Sequence, residues 1–348
     1  MKRRAFMLSC LLSAIADATP HYAKVLRGLA LQFPRDHGAH ADFRTEWWYV
    51  TGALDLPRKD IGFHLTFFRV RTGFTEVLAS PIAASQILFA HAAVTLPGDK
   101  LLHADRAARA NLGAGFSTTD CDVHIGAWEM QRNASDVFTL KAQNAQFSFN
   151  FSLTPTQPKM LQGDAGFSQK GARAEQASYY VSWPQLQVDG NIVLDGKSQR
   201  ATGKAWFDHE WSSEVLGETD VGWDWLGINL ADGGALMAFR IRDSNGATVF
   251  AQATLRDAAG QTQLWSGTDV RFKPLRNWRS ARGTEYPVEI ELRFGSNIIR
   301  TKPVIDDQEL STRRPAPVTY WEGLVQVEGT LTGRGYLELT GYAGKIVM

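Results

Sequence analysis

Along most of this chain, apolar and polar residues alternate in pairs or gather in short aromatic and β-branched runs between turn residues. Trp47-Trp48-Tyr49-Val50, the stretch 63–70, Phe147-Ser148-Phe149-Asn150-Phe151, Gln185-Leu186-Gln187-Val188 and Val325-Gln326-Val327 carry this pattern, bounded by Gly, Asn, Asp and Pro. A period of two predicts strands, and many short strands predict a sandwich or barrel. Helical periodicity is scarce; the best helix candidate after the N-terminus is a short Ala-rich piece near residues 81–88.

The pattern also repeats. Leu65-Thr66-Phe67-Phe68-Arg69-Val70-Arg71 returns 171 residues later as Leu236-Met237-Ala238-Phe239-Arg240-Ile241-Arg242. Trp47-Trp48 before Gly52 and Asp55 is matched by Trp223 and Trp225 before Gly227 and Asp232. Phe89-Ala90-His91-Ala92 is echoed by Phe250-Ala251-Gln252-Ala253, and Gln187-Val188-Asp189-Gly190 by Gln326-Val327-Glu328-Gly329. Gly203-Lys204-Ala205-Trp206-Phe207-Asp208 is echoed by Gly333-Arg334-Gly335-Tyr336-Leu337-Glu338. Echoes that keep their order imply an all-β chain of two tandem antiparallel barrels born of a duplication, one spanning residues 30–211 and the other 212–348. Each copy is long enough for about eight to ten strands, the number whose interior can hold one small ligand. Phe68 and Phe239 are expected at equivalent core positions. Copy one carries additional length at 103–144, where the strand pattern is weak.

Composition narrows the function. Apolar residues make up 44% and charged residues 21%, which excludes extended disorder, and a formal charge of +1 lacks the basic excess that nucleic acid requires. The 11 Trp, 19 Phe and 8 Tyr are costly to leave in water and point to a lined apolar cavity. Lys2, Arg3 and Arg4, the apolar run 5–16 and Ala16-Asp17-Ala18 read as a signal peptide over residues 1–18, so a secreted or periplasmic location is expected. Cys10 follows Met7-Leu8-Ser9, a poor lipoprotein box, and Cys121 alone remains after cleavage, so no internal disulfide can form.

The first copy holds the imidazoles: His91 corresponds to Gln252 and His209 to Leu339, while Asp208 corresponds to Glu338. In Trp206-Phe207-Asp208-His209-Glu210-Trp211, strand alternation puts Trp206, Asp208 and Glu210 on one face and Phe207, His209 and Trp211 on the other. An Asp desolvated among aromatics could stay protonated near neutrality, a shift that takes about 4 kcal/mol, and could then protonate an alkene or ether. Trp206 would stabilise the resulting cation by about 2 kcal/mol. The competing reading is an ion-paired carboxylate at the seam between barrels. His37-Gly38-Ala39-His40 with Asp36, Asp42 and Glu46 could ligate a metal, but without a second spaced pair a polar loop leading into the first strand is preferred, and no metal or cofactor is assigned. Trp47, Trp48 and Tyr49 either line a pocket or plug a barrel end. Gly-x-Ser-x-Gly and Walker-type motifs are absent.

The runs Phe33-Pro34-Arg35-Asp36-His37-Gly38-Ala39-His40, Arg44-Thr45-Glu46-Trp47-Trp48-Tyr49-Val50-Thr51-Gly52, Phe89-Ala90-His91-Ala92 and Trp206 to Ser212 closely resemble the AttH-like and carotenoid 1,2-hydratase family. Trp223-Asp224-Trp225, Asp307-Gln308-Glu309-Leu310 and Tyr320-Trp321-Glu322-Gly323 extend the likeness over nearly all of the chain after residue 18. The resemblance implies two lipocalin-like barrels in tandem, a secreted or periplasmic protein, and the description "predicted secreted hydrolase". In the hydratase branch an aromatic-x-Asp strand is associated with acid-catalysed addition of water to the terminal double bond of an acyclic carotenoid. Trp206-Phe207-Asp208 resembles it, with Trp in place of Tyr, whereas Tyr179-Tyr180-Val181-Ser182-Trp183 lacks the hydratases' upstream His. The expected catalytic group is therefore Asp208, His209 and Trp206, with Trp47, Trp48, Tyr49, His91, Glu210, Trp211, Trp223 and Trp225 binding a long apolar, isoprenoid or lipid-like molecule. The alternative is a lipocalin-type carrier of such a molecule, serving an export system through a membrane transporter.

Overall fold

The computed structural model describes residues 21–56, 59–73, 84–98, 100–315 and 317–346; the candidate signal segment and Cys10 lie outside them. Among the described residues there is no α-helix, only the 3-10 turns Arg35–His37 and Gly267–Asp269. The helix candidate near 81–88 falls partly outside the described residues. Its last three positions open a strand instead, because Leu88 and Ala90 fill alternate places in a barrel core.

The first sheet contains β1 (Thr45–Leu56), β2 (Lys59–Arg71), β3 (Gln86–Leu96), β4 (Lys100–Ala110), β5 (Gly113–Phe116), β6 (Asp122–Ile125) and β7 (Trp128–Arg132). It continues with β8 (Phe138–Gln143), β9 (Phe147–Thr154), β10 (Met160–Leu161), β11 (Phe167–Gln169), β12 (Ala177–Leu194) and β13 (Lys197–Glu214). Strand order runs β12-β13-β1-β2-β3 and on in sequence to β9, which pairs back onto β12. This closes an eleven-stranded barrel, with the short β10 and β11 flanking β12. The expected eight to ten strands fall short because 103–144 is itself strand, from most of β4 through β8.

The second sheet comprises β14 (Asp220–Leu230), β15 (Ala235–Asp243), β16 (Thr248–Arg256), β17 (Thr262–Ser266), β18 (Val270–Arg279) and β19 (Glu285–Phe294). Strands β20 (Asn297–Pro303), β21 (Glu309–Thr312), β22 (Val318–Gly329) and β23 (Gly333–Leu339) complete it. It curls in the order β17-β16-β15-β14-β23-β22-β20-β19-β18, and β21 adds to β22. The whole is the tandem lipocalin-like all-β architecture.

Alternation sorts each strand between two environments. Trp48, Val50 and Leu54 of β1, Phe63, Leu65 and Phe67 of β2, and Phe207 of β13 fill the first barrel. Leu226, Ile228, Leu236, Val325, Leu337 and Leu339 fill the second. The intervening positions Tyr49, Tyr180, Trp206, Trp225, Met237, Phe239 and Tyr336 form a third apolar cluster between the two. Phe68 and Phe239 line the cavity in this seam rather than either core, since Phe67 and Ala238 take the inner positions. Gln185, held at φ 56° beside a bulge in β12, ties the seam: its backbone N–H donates to Asn229 and its side-chain amide to the carbonyls of Leu230 and Gly234.

Candidate active site

Between the barrels lies a narrow, open-mouthed cavity. Trp47, Tyr49, Phe68, Tyr180, Asp208 and Glu210 of the first sheet face Trp223, Trp225, Phe239, Tyr320, Glu322 and Glu338 of the second across it. One backbone feature makes room for the indoles. Trp225 lies over bare Gly227, where a Cβ would come within 2.3 Å of its ring, and Trp206 borders the same spot. Trp225 sits opposite Phe239 on β15 and opposite Glu338 on β23, which fixes both cavity walls to one strand.

Asp208 is the central acid. It stands opposite Tyr49 on β1 and Ser182 on β12, and is 2% exposed. Oδ1 accepts from Ser182 Oγ at 2.6 Å and from Trp206 Nε1 at 2.7 Å, while Oδ2 accepts from Tyr180 Oη at 2.7 Å. Tyr180 Oη accepts in turn from Trp225 Nε1 at 2.9 Å. No cation pairs with Asp208 among the described residues. Burial therefore outweighs the three donors and lifts the carboxyl from 3.8 to about 7.

The neighbouring carboxyls differ. Glu210 accepts from Ser178 and pairs with Lys170 at 2.8 Å, and that ammonium also rests 4.0 Å from the Phe239 ring centroid. Glu322 accepts from Tyr49 Oη at 2.7 Å and lies 3.2 Å from His64 Nδ1. Burial, then the Glu338 charge, pushes Glu322 well above the usual carboxylate range. Burial holds His64 down to about 3, so it is neutral and that contact is not an ion pair. Glu338 accepts from Trp223 Nε1 at 2.8 Å, and burial lifts it to about 7.

Six of the residues singled out in the sequence meet at this cavity: Trp47, Tyr49, Asp208, Glu210, Trp223 and Trp225. Trp206 backs it through its bond to Asp208. His91 stands one layer behind, its Nδ1 2.8 Å from Tyr320 Oη. Trp48, His209 and Trp211 are not at the cavity, because alternation turns them to the opposite face of β1 and β13, under the N-terminal segment. There His209 Nε2 lies 2.9 Å from Glu46, Trp48 stacks on His209 at 4.9 Å, and Trp211 stacks on His40 at 3.7 Å. Asp208 and His209 thus belong to two different sites. Tyr180, Ser182, Tyr320, Glu322, Glu338 and Lys170 are additions from the structure. Glu338 was signalled as the duplicate of Asp208, and Tyr180 and Ser182 by their place two strand positions apart beside it.

The polar loop expected ahead of the first strand is buried, and Asp36, His40 and Glu46 form an ionic cluster with Arg69 there. Glu46 accepts from Arg69 Nε at 2.8 Å and lies 2.8 Å from His40 Nδ1, while His40 Nε2 lies 3.2 Å from Asp36. Burial opposes charge on His40, yet Asp36 and Glu46 hold its pKa above the ordinary value. Asp42 stays exposed. Ligand atoms of His40, Glu46 and His209 lie within 4.8 Å of one another, but each is engaged by the others and Arg69 already supplies the positive charge a metal would bring.

Comparison with known proteins adds context. The sequence pattern of the AttH-like family matches residues 24–342. An AttH protein of Nitrosomonas europaea is 45% identical, covering 92% of this chain and 99% of its own, with a TM-score of 0.86. Kievitone hydratase from Nectria haematococca, 15% identical, covers 93% and 96% with a TM-score of 0.67. CghA, 13% identical, covers 94% and 98% with a TM-score of 0.54, and these two share the fold. Among proteins of curated function none matches.

Proposed function

The chain belongs to the AttH-like family, and from that premise we propose that it adds water to, or hydrolyses, an apolar isoprenoid- or lipid-like molecule bound between its barrels, with Asp208 as the acid. One observation carries this reading: a buried carboxyl with no counter-cation among the described residues, still partly protonated near pH 7, on the wall of an aromatic-lined cavity. Trp206 Nε1 can only donate, so Oδ1 is fixed as an acceptor and the acid proton resides on Oδ2. In that state Tyr180 accepts from both Oδ2 and Trp225 and turns its own hydroxyl proton to the cavity, so the pair delivers one proton at the wall. Protonation of an alkene carbon leaves a carbocation beside Trp47, Trp223 and Trp225, whose ring faces attract it by up to about 2 kcal/mol when dry. Water then forms the C–O bond and loses a proton, giving the alcohol.

A carrier would use the aromatic walls and make no use of a buried acid. The two readings separate on squalene, lycopene and geraniol incubated in H₂¹⁸O. The wild type yields ¹⁸O-labelled alcohol by mass spectrometry. Asp208→Asn lowers its formation at least 100-fold while ligand quenching of Trp fluorescence stays within about twofold. Undiminished turnover in Asp208→Asn removes the acid role, and binding without any turnover in the wild type leaves the carrier. We also place the protein outside the cytoplasm on the signal-like segment 2–18; N-terminal sequencing from the native host then reads Thr19 first, and Met1 overturns it.

A further inference from the structure

At the cavity, one carboxyl of each barrel falls at the corresponding place in the sequence repeat, Asp208 in the first and Glu338 in the second. On β13, Asp208 stands opposite Tyr49 and accepts an indole N–H from Trp206; on β23, Glu338 stands opposite Trp225 and accepts an indole N–H from Trp223. The two differ in what is left over. Both oxygens of Asp208 are occupied, whereas Oε1 of Glu338 has no donor among the described residues. Glu338 also sits directly opposite Glu322 on β22, at a cross-strand spacing of about 5 Å between Cβ atoms. Two carboxylates that close share one proton. Glu322 is placed to keep it: both line the cavity, but Glu322 is the more deeply buried, with Tyr49, Tyr320 and neutral His64 around it, while Glu338 is only half-buried.

We propose that Glu338 is the general base of the reaction, accepting through Oε1 the proton of the water that attacks the cation formed by Asp208, with Glu322 holding the proton of the pair. The inference rests on the acid reading of Asp208. The step balances: Asp208 gives one proton to carbon, water adds its oxygen to the cation, Glu338 takes one proton from that water, and proton return from Glu338 to Asp208 through the open mouth closes the cycle. Each barrel thereby contributes one half of the acid–base pair.

In D₂O with squalene or lycopene as probe, two readouts separate these roles. Deuterium entering recovered alkene reports protonation and its reversal; alcohol reports capture by water. Glu338→Gln is expected to cut alcohol formation about 100-fold while deuterium entry stays within a few-fold of wild type, and Asp208→Asn is expected to abolish both. Glu338→Asp, which keeps the carboxylate, restores alcohol in part and stands in if the Gln variant does not fold. Equal loss of both readouts in the Glu338 variants, or alcohol formation left intact in Glu338→Gln, overturns the base while sparing the acid. Neither readout in the wild type overturns the acid reading and the base with it.

Discussion

Asp208 is held in a state that the unfolded chain would not share. Its folded pKa of about 7 lies above the 3.8 of the free side chain, so the unfolded state gives up its proton first as pH rises. The contribution to stability is full below pH 3.8, declines between there and pH 7, and is level above, a total of about 4 kcal/mol at 1.4 kcal/mol per pH unit. Asn does not titrate, yet it can still accept from Trp206 and Ser182. Asp208→Asn should therefore gain stability relative to wild type by up to about 4 kcal/mol between pH 4 and pH 8, read by urea denaturation at each pH. A constant difference across that range would mean that the carboxyl is ionised in the folded protein at every pH tested. The acid proposed for the chemistry is a stability cost at neutral pH.

At the level of the strand, a two-residue period separates the cavity face from the supporting face. On β13, Trp206, Asp208 and Glu210 turn to the seam, while His209 and Trp211 turn to the cluster around Glu46. That cluster joins the N-terminal segment to β1, β2 and β13: Arg69 donates to Glu46 and to the carbonyls of His40 and Phe43. Glu46→Gln leaves the Arg69 guanidinium buried without a counter-charge and should destabilise by about 3–5 kcal/mol, measured by denaturation, with ligand affinity at the cavity unchanged in the folded fraction. The faces of β13 were legible from Trp206 to Trp211, and the pairing of Asp208 with Glu338 from the duplication. What alternation cannot say is which outward face meets the other barrel. The outward row Thr66, Phe68 and His91 meets Tyr320 only because β22 crosses there, a long-range fact with no local signature. The strands within 103–144 were obscured because β4 carries Lys100, Arg106 and Arg109 among small alanines, and β5 to β7 span only four or five residues each.

For the molecule as a whole, the seam is the third core. Tyr49, Trp206, Trp225, Phe239 and Tyr336 are buried there only because both barrels are present. A fragment ending at Val215 should keep the eleven-stranded closure but expose this face, binding a hydrophobic dye and self-associating in light scattering; a monomeric, dye-silent fragment would show the seam to be dispensable. The segregation of inner and outer positions reaches further than stability. Both lumens are filled with side chains, and the groups that touch the cavity project from the outside of a barrel, apart from Lys170 and Val215 of the connecting segments. Mutation can therefore rewrite the walls of the cleft, one alternate residue at a time, while the side chains inside the two lumens stay untouched. The tandem arrangement supplies two frames and, in the gap between them, a surface on which selection can vary the lining one position at a time.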